Sequence, residues 1–319
     1  MRPGRLRKPQ PPRAAARRPY SRAVYELRAP APDLARFIDT YWFVGADRPE
    51  PFDLRVDVFV DGRADLIFNF GAPYHREVIG GPRRRLTRSN LDAQRLVPIR
   101  ILQAGRLRLA GVRFHLGGLG RFARTPLAAS TGTTRAPQVA LGRAAVELEA
   151  ALRDAVGADA QARLLDGFFR AQLTDRPGYD AFARSLARAV ADRGAARLGA
   201  LADAAGTSGR QVERLFARYL GLSPRALARV LRFQDALRML MRDDARTLAA
   251  VAADAGYFDQ AHFIRDFRQM TGGVPRGYRG YFPVDGPADF APNVVAFVQD
   301  RADRPRYQRR RTGRAAPRR

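Results

Sequence analysis

Arg210 and Arg214 stand four residues apart, and Arg265 follows Arg214 by 51. A guanidinium is a planar fork of donors that can hold O6 and N7 of guanine together, worth about 1–3 kcal/mol of discrimination between bases. In a helix, residues four apart share a face, so Arg210 and Arg214 can reach one groove while Arg265 serves another. Gln211, Glu213, Gln260 and His262 flank them and carry groups able to read base edges. Ala261 shares the outward face of Arg265 and Arg268, and Ser208 stands where a helix would begin. Arg218 and Arg268, further along their helices, suit phosphate oxygens.

These side chains lie in two stretches that repeat one another. Leu198, Ala202, Ala205 and Gly206 recur 50 residues later as Leu248, Ala252, Ala255 and Gly256. Beyond the turn the offset is 51, pairing Ser208 with Asp259, Val212 with Phe263, Arg214 with Arg265 and Phe216 with Phe267. One additional residue in the second turn accounts for the change. Leu198, Leu201, Ala202 and Ala205 form a small apolar face on the first helix. Gly206 and Gly256 fit left-handed helix ends, and Ser208 and Asp259 fit N-caps. Val212, Leu215, Phe216 and Tyr219 then point inward, as do Phe263, Phe267 and Met270 in the second copy. Each stretch therefore reads as a helix-turn-helix whose second helix offers its N-terminal half to the major groove.

Between the copies, Pro224 suits the first turn of a helix, and Leu227, Val230, Leu231, Leu237 and Leu240 continue an apolar stripe as far as Asp243-Asp244. A helix of about 18 residues spans roughly 27 Å. Such a rod can hold two recognition helices for successive major grooves, about 34 Å apart on one face of a duplex.

Residues 190–281 resemble the C-terminal domain of the AraC/XylS family of transcription regulators. The resemblance rests on the first unit through Leu222-Ser223-Pro224, on Ala252 to Phe267 with Gly256-Tyr257-Phe258-Asp259-Gln260-Ala261-His262-Phe263, and on Pro275 to Tyr278-Arg279. Gly273 and Val274 depart from it, standing where the family has an apolar residue and then Ser or Thr as the cap of its last helix.

Composition agrees with a polyanionic partner. The chain of 319 residues has 57 basic and 31 acidic side chains, a formal charge of +26. Lys8 is the lone lysine, so a GC-rich coding sequence explains part of that arginine content. Cysteine is absent, which excludes disulfides, thiolate metal sites, and the cysteine chemistry of the methyl-accepting DNA repair proteins with a similar tandem domain. No run approaches the roughly 20 apolar residues of a membrane span, and no apolar segment follows the basic N-terminus as in a signal peptide. The default is cytoplasmic. Residues 1–22 and 282–319 read as disordered basic tails, available for salt-sensitive contact with phosphates or for no role at all.

From 23 to 135 the apolar period is two. Val56, Val58 and Val60, then Leu66, Phe68 and Phe70 beyond Asp61-Gly62, predict a hairpin with a tight turn. Val97, Ile99 and Ile101 predict another strand. Leu107 and Leu109 change phase at Ala110-Gly111 before Val112, Phe114 and Leu116, which predicts a β-bulge at the glycine. Tyr41-Trp42-Phe43-Val44 and Asp65-Leu66-Ile67-Phe68-Asn69 resemble the N-terminal domain of one subgroup of AraC-like regulators. The resemblance implies a cupin-like fold that binds an effector or dimerises. Trp42 belongs in the core. His75 and His115, with Glu77 alone nearby, fall short of the converging ligands that a metal needs, so neither metal nor cofactor is expected.

Helical periodicity returns in a connector over 136–189, with Leu141, Ala145, Leu148 and Leu152, then Leu165, Phe168, Phe169 and Leu173, broken by Pro177-Gly178. These stripes either complete the core of the β-rich domain or form a dimer interface. The expected fold is α+β in two domains: a β-rich cupin-like N-terminal domain, then an all-α domain with two helix-turn-helix units joined by a long helix. The function that follows is sequence-specific transcription regulation through two successive major grooves. The alternative is an architectural or non-specific nucleic-acid binder driven by its tails. Partners in view are double-stranded DNA, a small-molecule effector, RNA polymerase and a second copy of the chain, with no membrane. No carboxylate pair, nucleophile elbow or phosphate loop points to an enzyme.

Overall fold

The computed structural model describes residues 24–46, 53–81, 83–86, 89–242 and 246–278. Both basic tails and Asp243-Asp244 lie outside the described residues. Among the described residues, ten strands make two antiparallel sheets. The larger has the order β1 (Val24–Arg28), β2 (Ile38–Ala46), β9 (Leu107–Phe114), β4 (Asp65–Asn69), β7 (Asn90–Asp92) and β10 (Thr134–Arg135). The smaller has the order β3 (Asp53–Val58), β8 (Ile99–Ala104), β5 (Tyr74–Val78) and β6 (Arg83–Leu86). Helices follow, so the chain is β-rich first and helical afterwards.

Two sequence expectations fail here. Asp61-Gly62 does turn the chain, with Gly62 at φ +71°, but no hairpin forms. β3 pairs with β8, whereas β4 pairs with β7 and β9 in the other sheet. Alternation sets which way side chains point, but the partner strand depends on what covers them. Phe59 and Val60 leave the sheets altogether and are buried among helices. The second failure is the bulge. β9 pairs without interruption through Gly111, and the irregularity lies in β2 between Ile38 and Thr40. Gly111 faces the Trp42 ring, where a Cβ would overlap the indole. The glycine makes room for a buried tryptophan. β4 also departs from alternation: all five residues are buried, because neighbouring strands flank it and both its faces are covered.

The two faces of the larger sheet differ in chemistry. One carries Tyr41, Phe43, Leu66, Phe68, Val112 and Phe114 into an apolar core shared with α1 (Pro137–Leu141), α2 (Ala144–Asp154), α3 (Ala158–Ala171) and α4 (Tyr179–Ala191). Leu141, Ala145, Leu148, Leu152 and Leu165 are buried there, and Phe169 meets Phe114 edge-on at 5.6 Å. The connector stripes thus complete this core, the first of the two uses expected of them. The seam between the sheets is polar. Arg76 on β5 reaches Asp92 on β7 at 3.1 Å, and Arg95 holds the other oxygen of that carboxylate. Asn90 donates to the Tyr74 hydroxyl at 2.6 Å. Arg113, fully buried, holds Asp61 and Asp65. Burial, outweighing the attraction of Arg113, pushes the Asp65 carboxyl up to about 6.

Candidate nucleic-acid interface

α5 (Leu198–Ala205) and α6 (Gly209–Tyr219) form the first helix-turn-helix, and α8 (Leu248–Asp254) and α9 (Gln260–Thr271) the second. α7 (Pro224–Arg242) joins them, 19 residues or about 28 Å at 1.5 Å each. The turn chemistry is as the residues dictate. Gly206 and Gly256 adopt φ +66° and +75°. Ser208 Oγ accepts from the Gln211 amide at 3.2 Å, and Asp259 Oδ1 from the His262 amide at 2.6 Å. Two further caps went unread in the sequence: Ser223 accepts from the Ala226 amide and Thr247 from the Ala250 amide, each at 3.1 Å.

Packing fixes which faces remain for a partner. Val212, Leu215, Phe216 and Tyr219 are buried with α4, where Phe182 meets Phe216 at 5.4 Å and Ser185 Oγ donates to the Leu201 carbonyl. Phe263, Phe267 and Met270 are buried with Val230, Phe233, Leu237 and Leu240 of α7 in a second core. Leu198, expected on the inward face, is 37% exposed instead. It lies at the first position of α5, against Gly209.

Outside these cores, Ser208, Arg210, Glu213, Arg214 and Arg218 are exposed and Gln211 is half-buried. In the second unit, Gln260, Ala261, Arg265 and Arg268 are exposed. His262 is half-buried, its ring edge-on to Tyr257 at 5.2 Å. Arg218 lies over the Tyr219 ring, 5.4 Å from its centre. Many arginines of this chain sit in ion pairs, but among the described residues Arg210, Arg214, Arg265 and Arg268 do not.

Asp266 is a supporting residue that the sequence reading passed over. It is 4% exposed in the middle of α9, held by Arg229 Nε at 2.5 Å and by the Tyr257 hydroxyl at 3.1 Å. Burial, with Asp266 alongside, raises the Tyr257 hydroxyl above its ordinary range, so it stays a donor. Its position three residues after Phe263 and one before Phe267 was the available signal. An acid on the inward face requires a buried partner.

The β-rich part touches both α6 and α9 at their C-terminal ends. At α6, Gly120 lies against the Tyr219 backbone, and Thr131 Oγ1 donates to the Gly221 carbonyl at 2.6 Å. At α9, the Met270 carbonyl accepts from Val60, and Ile79 packs where Gly272 has no side chain.

Residues 201–281 match the family described as a helix-turn-helix domain. The two helix-turn-helix units, α5–α6 and α8–α9, fall within or at the edge of that match. Residues 26–135 match a domain of unknown function, DUF6597. No curated protein matches the chain. Among solved structures, a Chromobacterium violaceum transcriptional regulator described by its AraC-type DNA-binding domain is 25% identical, covering 32% of this chain and 91% of its own, with a TM-score of 0.30. ToxT from Vibrio cholerae is 10% identical, covering 72% of this chain and 97% of its own, with a TM-score of 0.40. ToxT with an unsaturated fatty acid bound is 11% identical over 73% and 96%, again at 0.40.

The histidines sit apart from the two helix-turn-helix units, except His262. His75 is exposed on β5, and His115 lies 4.0 Å from Asp39. Among the described residues no three His, Cys, Asp or Glu side chains are placed to hold a metal ion, and no helix is long and apolar enough to cross a membrane.

Proposed function

We propose that the chain regulates transcription by laying α6 and α9 into two successive major grooves of one duplex, without catalysis. One observation carries this reading: both helices offer capped, arginine-bearing N-terminal halves to solvent, while the β-rich part holds them from the opposite ends. Arg210 and Arg214 serve one groove and Arg265 the next. Ser208, Gln211, Glu213, Gln260, Ala261 and His262 contribute beside them, and Arg218 and Arg268 meet phosphates. The β-rich part adjusts this grip through its contacts with both helix ends. Its polar seam, where the buried Nε of Arg76 and Arg95 and the Oε1 of Gln94 have no hydrogen-bond partner among the described residues, suits a hydrogen-bonding small effector better than a purely apolar one. A second copy and RNA polymerase are partners compatible with this reading, and neither is needed for the two-groove contact. Action on DNA of this kind belongs in the cytoplasm.

Selection of duplexes from a random pool by the full chain tests the reading. The expected outcome is two conserved blocks with centres about 10 base pairs apart, with Arg214→Ala relaxing defined bases in one block. Enrichment that vanishes on deleting both tails, or no consensus at all, would instead favour the non-specific binder.

A further inference from the structure

Phe258 is 93% exposed, while its neighbours in the turn are all accounted for. Gly256 takes the left-handed conformation, Tyr257 is 6% exposed with its hydroxyl on Asp266, and Asp259 caps α9. With the residues on either side fixed, the Phe258 ring has nowhere to go but outward. The first unit has only Thr207 between its glycine and its cap, so the outward ring comes with the additional residue of the second turn. An exposed Phe forgoes about 1.5–3 kcal/mol of burial, and among the described residues nothing apolar covers it.

We infer that Phe258, with the methyl group of Ala261 on the first turn of α9, makes an apolar contact with the C5-methyl of a thymine beside the bases read by Arg265. This rests on the two-groove reading above. Three features favour DNA as the occupant over another protein. Phe258 immediately precedes the cap of a recognition helix, whose N-terminal end enters the groove. Gln260 and Arg265, both exposed, follow it on α9 with hydrogen-bonding and cationic groups. The thymine methyl is the apolar group that the major groove displays, and Phe and Ala are side chains that meet it.

The test is a double-mutant cycle on the full chain with a duplex selected from a random pool. Each thymine of the second half-site is replaced singly by deoxyuridine, which removes the methyl and nothing else. One such replacement is expected to weaken wild-type binding about threefold to fourfold, the effect of one buried methyl group. Phe258→Ala weakens binding about tenfold on the thymine duplex and becomes insensitive to that same replacement. Phe258→Leu recovers part of the loss. Because the ring is exposed, thermal unfolding of both variants should match wild type. Equal affinity of Phe258→Ala and wild type overturns the inference, as does a loss that couples to no thymine methyl. Intact DNA binding with lost promoter activity would assign the ring to a protein partner and overturns it too. If wild type itself selects no sequence, the two-groove reading fails and this inference goes with it.

Discussion

Thr131 donates its hydroxyl to the Gly221 carbonyl at 2.6 Å, fastening the β-rich part to the turn just beyond α6. Gly221 itself is at φ +79°, and a Cβ there would stand 2.5 Å from that hydroxyl. Backbone meets backbone a few residues away, where Gly120 lies against Tyr219. The first helix-turn-helix is therefore not carried on a free linker, since its buried face belongs to the same apolar core as the large sheet.

A methyl group at position 120 should break this fit. In Gly120→Ala the added Cβ overlaps the Tyr219 carbonyl, and neither backbone can yield without moving its element. A loss of about 1–3 kcal/mol, typical of overpacking, is expected in denaturant unfolding. Gly199→Ala is the opposite case. It lies inside α5 with nothing within 4 Å of a Cβ, so about 0.5–1 kcal/mol of stabilisation is expected. Equal effects from the two would contradict the close approach at Gly120.

Removing the Asp266 carboxylate should loosen the second unit selectively. Asp266→Ala leaves Arg229 Nε and the Tyr257 hydroxyl without their acceptor, while Gln269 keeps its contact with Arg229. Breaking a buried pair costs about 3–5 kcal/mol, and the 29% exposure of the Arg229 side chain reduces that to about 2–3 kcal/mol. Tyr257→Phe removes one hydrogen bond, about 1 kcal/mol. Hydrogen exchange should show faster opening of α8 and α9 while α5 and α6 keep their protection. Uniform loss of protection would mean that the two cores do not open separately.

Most of the reading machinery was legible because it is local. Gly206, Ser208, Gly256 and Asp259 act within one turn of their own helices, so their roles follow from neighbours in sequence. Val212, Phe216, Phe263 and Phe267 declare their inward face by period alone. What the sequence concealed depends on distant partners. Val60 looks like any alternating strand residue until Met270, 210 positions later, accepts its amide. Gly111 looks like a bulge until Trp42 fills the space above it. Leu198 shows the converse, since it stays exposed at a periodic position whose counterpart in the second unit, Leu248, is buried.

Stability should fall as pH rises from about 4 through 6 because of Asp65. Its folded pKa, about 6, lies above its ordinary value of 3.8. The folded state therefore binds more protons in that window. The stabilising contribution is complete below 3.8 and lost as pH passes the folded value. Asp33 and Asp159 are held low by Arg170 and Arg28 and act below their ordinary value instead. Urea midpoints measured between pH 4.5 and 6.5 (a range of about two units around the Asp65 transition) should slope downward for wild type and flatten for Asp65→Asn. An upward slope would mean that Arg113 dominates over burial.

Arg218 and Arg268 should contribute affinity without selectivity. A phosphate contact releases counterions, so each Arg→Ala change is expected to reduce the slope of log affinity against log salt by about 1. The loss should be equal for matched and mismatched duplexes. A selective loss on matched duplexes would move either residue from the phosphates to the bases.

The spacing of the two half-sites should depend on Gln234. Its side chain, buried in the middle of α7, donates to the Val60 carbonyl at 2.5 Å, and the Val60 amide donates to Met270 at the end of α9. One short segment thus ties the connecting helix and the second recognition helix to the β-rich part, which also grips the end of α6. Gln234→Leu keeps the bulk but leaves the Val60 carbonyl buried without its donor, a penalty of about 1–3 kcal/mol on the tie. Inserting one base pair between half-sites moves the second groove by about 3.4 Å and turns it by roughly 35°. Wild type, held at three points, should reject that duplex strongly. The variant, held by α7 and the α6 contact, should accept it with a smaller loss while binding the original duplex more weakly. Affinities on duplexes with zero, one and two inserted base pairs measure this directly. Parallel profiles for wild type and Gln234→Leu would show that α7 alone sets the spacing and that the Val60 tie serves stability only.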